Sequence, residues 1–166
     1  EGSYKDLSGK ELARMRYDEQ LKSAKLGNFL ALVALNYTSQ ELKKDRRSDV
    51  RADLIHILDT TRPQVVYIHN PFDDHDTHVS AAVRSIEALR DISSTFMPQQ
   101  VYGCEVTGSL DWFPEKIRLD VSMHPDVARQ ILHIFQSQSE NLRSYPQATI
   151  SRWESQATFD RANKYG

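Results

Sequence analysis

Residues 65–78 read VVYIHNPFDDHDTH. A short apolar, β-branched run leads straight into ten positions that hold three histidines and three aspartates. A run of this kind reads as a strand buried on both faces. Val79, Ala82, Val83, Ile86 and Leu89 then recur at helical spacing, so a polar loop should link the strand to a helix. In open α/β sheets ligands bind just beyond the carboxyl ends of the strands. The histidine-rich loop stands at that place, and a site is expected there on topology alone.

The same alternation extends outward. Ser8 and Glu11 have capping-box spacing, and Gly27 stands where the helix should stop. Ala13, Tyr17, Leu21 and Ala24 form the apolar stripe between them. FLALV (29–33) reads as another strand buried on both faces, and KKDRR (43–47) as a solvated loop or helix start. Ser48 or Asp49 can cap a helix carrying Val50, Leu54, Ile57 and Leu58, which Pro63 ends. QVYGCEV (100–106) and KIRLDVSM (116–123) alternate as strands do. His124-Pro125-Asp126 can open a helix with Val127, Ile131, Ile134 and Phe135, and the tail from Thr149 to Tyr165 has helical character. Helices alternating with short strands predict an α/β, Rossmann-like fold, a mainly parallel sheet flanked by helices, built as one domain over 1–166.

Composition narrows the function. The 166 residues carry a net charge of −2 with mixed signs, which gives no electrostatic case for nucleic acid or an anionic membrane. No apolar stretch approaches the ~18 residues of a membrane helix. Cys104 is the single cysteine, so no intrachain disulfide can form, and a reducing, cytoplasmic setting is expected. There is no H-E-x-x-H and no basic stripe, which disfavours a metalloprotease or nuclease.

Neutral imidazole is a common ligand for zinc and similar divalent ions. His75 and His78, three apart, can face one cavity if a helix begins near Asp76. Asp73, Asp74 or Asp76 can hold a ring N–H and fix its tautomer. The alternative is a polar exposed loop whose aspartates cap the helix. A catalytic zinc usually has three protein ligands and one open position, and this stretch offers one or two. His56 and His133 fall inside helical segments, and His69 belongs to the strand end.

PQVVYIHNPFDDHDTHVSAAVRSIEAL (63–89) resembles the second motif region of the LmbE/PIG-L deacetylases, in which a strand ends in an H-x-x-H loop that opens a helix. RYDEQLKSAKLG (16–27) is similar to the helix preceding a strand in that family. YGCEVTGSLDWFPEKIRLDVS (102–122) and YPQATISRWESQATF (145–159) resemble its later strand pair and C-terminal region. The resemblance implies a zinc-dependent enzyme that hydrolyses linear amides, removing acetyl groups from N-acetylglucosaminyl-type or related small substrates. It implies His78 as a ligand to Zn2+ or another divalent metal, and His75 as an imidazolium near the oxyanion. The family's other ligands and its general base lie in an N-terminal HPDD-type motif that this sequence does not contain. His124-Pro125-Asp126 comes too late to be that motif and is followed by Val127. The loop also departs from the frequent H-P-D-H pattern, with Thr77 where an acid can stand, so Asp73 or Asp74 is the substitute.

Residue 1 is glutamate, so a processed or partial chain is expected, lacking an N-terminal strand that a missing segment or a homo-oligomeric partner would supply. The chain by itself is expected to be inactive and a poor zinc binder. Arg84, Glu105 and Trp112 are the candidate substrate contacts, the tryptophan through a sugar face, and each has a plain structural alternative as a solvent-facing, loop-capping or packing residue. The competing functional reading is a catalytically inactive family member or fragment serving as a binding module.

Overall fold

The computed structural model describes residues 7–44, 48–92, 96–106, 110, 112–113, 115–139 and 144–164. In chain order the elements are α1 (Gly9–Leu26), α2 (Ser39–Lys43), α3 (Ser48–Thr61), β1 (Val65–His69), α4 (Asp76–Asp91), β2 (Gln100–Cys104), α5 (Pro125–Ile134), α6 (Gln136–Ser139) and α7 (Tyr145–Lys164). Residues 35–117 form one compact unit, and 1–34 with 118–166 form another.

In the first of these units β1 and β2 pair in parallel, from Val65 opposite Gln100 to His69 opposite Cys104. Parallel neighbours need a crossover, and α4 supplies it. The core forms where α3 packs on α4, around Leu58, Ala88 and Ile92, with Leu54, Ile55, Val66, Leu89 and Phe96 against it. Arg62 leaves α3 in the left-handed region (φ 45°), and Pro63 blocks continuation of the helix. Ahead of α3, a capping box joins Thr38 and Glu41 at the start of α2. The Tyr37 hydroxyl donates to Asp53 Oδ2 on α3 at 2.7 Å.

In the other unit α1 starts at the expected Ser8–Glu11 capping box and ends at Gly27. Its buried residues are Glu19 and Ala24, whereas Ala13 and Tyr17 face solvent. The apolar stripe expected over Ala13 and Tyr17 is therefore displaced. Glu19 can be buried because both carboxylate oxygens are satisfied on α6: Ser137 donates its backbone N–H at 2.8 Å and its hydroxyl at 2.6 Å.

Four strand expectations change. FLALV (29–33) forms no strand, and Phe29, Leu30 and Val33 are exposed. No described segment pairs with it, and the Phe29 N–H turns back to the Ala24 carbonyl at 2.8 Å. KIRLDVSM (116–123) is also irregular, and Ile117, Leu119, Val121 and Met123 are exposed. There the Asp120 side chain accepts the Ser122 N–H at 2.9 Å, a local turn that competes with a ladder. QVYGCEV is a strand only as far as Cys104. VVYI is a strand, but one face is open: Val65 and Tyr67 are exposed, and Val66 and Ile68 are half-buried. The described residues thus show an α/β arrangement with a two-stranded parallel sheet. Among them no helix is long and apolar enough to cross a membrane.

Two outcomes test these contacts. Ser137→Ala leaves a buried carboxylate short of a donor and should cost about 1–3 kcal/mol in urea denaturation; an unchanged midpoint would show that Glu19 finds other partners. The bond to Asp53 holds the Tyr37 proton and pushes the phenol pKa up to about 12. Its stabilisation is complete below the unfolded tyrosine pKa of about 10 and is lost as pH rises through the folded value. An ultraviolet titration should show a late phenol step that Tyr37→Phe removes.

Candidate active site at the end of the first strand

The chain leaves β1 at His69 and turns at once. Asn70 Oδ1 accepts the Phe72 N–H at 2.9 Å, and the Asn70 carbonyl accepts the Asp73 N–H at 3.2 Å. Pro71 presets the turn between them. Gly103 on β2 makes room for this crossing, because a Cβ there would come within 3.1 Å of Asn70 Nδ2.

The turn places the Asp73 side chain inward, where it is 1% exposed. Oδ1 accepts the His75 backbone N–H at 2.9 Å, and Oδ2 lies 3.2 Å from His78 Nδ1. One carboxylate therefore ties the approach to α4 and orients a ring on its first turn. A carboxylate can only accept, so His78 donates from Nδ1 and its Nε2 keeps the lone pair. That is the tautomer a metal-binding imidazole needs when a carboxylate supports it from behind. The negative charge also lies at the amino end of α4, where the helix dipole favours it.

His75 is the N-cap of α4, and its Nδ1 accepts the Thr77 N–H at 3.3 Å. The donor left to it is Nε2–H. Its ring stacks with that of His78, centroids 4.5 Å apart and planes 27° apart. His69, assigned from sequence only to the strand end, stacks with His78 as well, at 4.5 Å and 9°. Burial pushes the His69 imidazole below its ordinary pKa, and the nearby His78 pushes in the same direction. Its Nδ1 is buried without a hydrogen-bond partner among the described residues. The signal in the sequence was position alone: a histidine closing a strand whose carboxyl end carries the loop. Cys104 faces His69 across the ladder, and burial raises its thiol pKa, which makes it a poor nucleophile.

The other candidates are more dispersed. Asp74 and Asp76 are exposed on the loop and the first turn of α4. Arg84 forms an ion pair with Glu87 at 2.6 Å on the same helix. Glu105 accepts from Lys116 Nζ and from the Leu110 N–H, each at 3.4 Å. Trp112 is exposed and sits edge-on to Phe113, which stacks on Phe72 of the loop at 6.1 Å. Two rings thus connect the predicted sugar contact to the histidine loop. His56 and His133 are exposed on their helices. Among the described residues, no three His, Cys, Asp or Glu side chains stand together as a metal site. A cavity of about 930 Å³ lies against α1 and α5 and borders none of the candidate residues. It has no histidine–carboxylate pair of the kind Asp73 and His78 make, so the loop remains the candidate site.

A family model described as PIG-L: GlcNAc-PI de-N-acetylase matches residues 1–89. That span is more than half of the 166 residues and includes β1, the histidine loop and most of α4, and the chain belongs to this family. The family is one of deacetylase hydrolases whose members commonly use a divalent metal. No curated protein matches the chain.

Asp73→Ala removes the acceptor for one backbone N–H and one ring N–H. It should cost about 1–3 kcal/mol in chemical denaturation and mix the His78 tautomers seen by ring-nitrogen NMR. A single Nδ1–H tautomer surviving in that variant would take Asp73 out of the role of orienting the ring.

Proposed function

We propose that this chain carries part of the active site of a metal-dependent N-deacetylase acting on N-acetylglucosaminyl-type or related small amides. One observation supports this most directly. Asp73 holds His78 by Nδ1, so that Nε2 is the nitrogen available to a metal. His78 fits a divalent ion such as Zn2+ as one ligand of a set completed elsewhere, since no three such side chains of the described residues converge as a metal site. A bound ion of this kind supplies Lewis acidity at the scissile carbonyl and lowers the pKa of a water toward ~7.

His75 donates from Nε2–H to the oxygen that becomes negative as water adds to the carbonyl carbon. Its Nδ1 is occupied by the Thr77 N–H, so the neutral ring suffices for that donation. An imidazolium would have to give up this cap bond. As the C–N bond breaks, a proton taken from the attacking water passes to the leaving nitrogen, so acetate and the free amine depart. Trp112 and Phe72 offer exposed ring faces to the sugar. Asp74 and Asp76 add negative charge at the rim, and Arg84 and Glu105 flank the substrate through their existing pairs.

The test uses the intact protein with an N-acetylglucosaminyl substrate. His78→Ala should lose bound metal by elemental analysis. His75→Ala should keep metal and lose about 10²–10³ in kcat, the usual consequence of removing one oxyanion donor. Full metal occupancy without the His78 ring, or undiminished turnover without the His75 ring, would refute the corresponding assignment.

A further inference from the structure

The His69 side chain is unusual for its place. It ends β1, its backbone lies in the ladder opposite Cys104, and its Nδ1 is buried with no partner among the described residues. A histidine kept for hydrogen bonding would show a bond to that atom. What it does show is a flat face set almost parallel to His78, 9° between planes at 4.5 Å. Asp73 grips His78 at one ring edge, a single bond about which the ring can swing, and the His75 ring, 4.5 Å away, is inclined at 27° and carried by the loop end of α4. A flat neighbour on a rigid strand removes that freedom, because tilting His78 would drive it into the His69 face.

We propose that His69 is a positioning residue whose ring face, rather than its nitrogens, sets the plane of His78 and so aims His78 Nε2. This rests on the reading of His78 as a metal ligand. Two elements then define the ligand in complementary ways. The loop carboxylate fixes its tautomer, and the strand fixes its plane. Sites built on the scaffold in this way hold their geometry more tightly than sites held by loops alone.

The proposal separates two substitutions of similar bulk in the intact protein, in which the ligand set is complete. His69→Phe keeps a flat face and discards the nitrogens. His69→Leu fills the space without a plane. In His69→Phe, ring-nitrogen NMR of the metal-free protein should still show one Nδ1–H tautomer for His78, and calorimetric titration with Zn2+ alone should give an affinity within about twofold of the parent. In His69→Leu, the Nδ1–H tautomer set by Asp73 should persist, but the nuclear Overhauser contacts of the His78 ring protons should spread over several ring orientations, and Zn2+ affinity should fall about tenfold or more, the scale on which groups supporting a ligand act. Equal behaviour of His69→Leu and the parent would overturn the proposal. So would equal losses in both variants, which would make a nitrogen the functional part. Collapse of the far-ultraviolet circular dichroism spectrum in His69→Leu alone would assign the position to folding and overturn it too. If the intact parent binds no Zn2+, the metal reading fails, while the ring-proton contacts of the metal-free protein still decide whether His69 positions the ring.

Discussion

The Asp73 carboxylate is the group on which the candidate site depends. It is nearly inaccessible to water, and a buried carboxylate is tolerable only when its oxygens are occupied. Here they are occupied by the backbone at the entry to α4 and by the ring of His78. Folding the loop and orienting the His78 ring are therefore one event. A chain that failed to close this turn would lose the helix start and the histidine tautomer together.

The rigid parts around this carboxylate explain why the site can be built from so short a stretch. β1 is fixed by five residues of parallel pairing, and α4 packs on α3 through Leu58, Ala88 and Ile92. Between them the loop spans only a few residues, disciplined by Asn70, Pro71 and the space that Gly103 leaves open. His69 enters from the strand, and His75 and His78 enter from the helix. Their rings meet because both elements are held by contacts that have nothing to do with metal or substrate.

Membership in the PIG-L family and the local chemistry agree on the same loop. The family match covers the strand, the loop and most of the helix. The hydrogen-bonding pattern assigns different nitrogens to different tasks: Nε2 of His78 is the available lone pair, and Nε2–H of His75 is the available donor. That division follows from which ring atom each protein partner already occupies.

Much of this was readable from sequence because it depends on local chemistry. The strand at 65–68, the Asn70-Pro71 turn, the helix after Asp76 and the Ser8–Glu11 box each follow from residues a few positions apart. The association of Asp73 with a nearby histidine was likewise open in the reading, since the loop is short. Other features depended on segments distant in the chain. FLALV and KIRLDVSM have strand-like patterns, yet a strand exists only where a neighbour completes its ladder, and no described segment does so. Glu19 is buried because Ser137, more than a hundred residues away, satisfies both of its oxygens. His69 looked like the end of a strand. Only the packing of that strand beside α4 brought its ring against His78, because stacking is set by where two elements meet in space and not by the spacing of their residues.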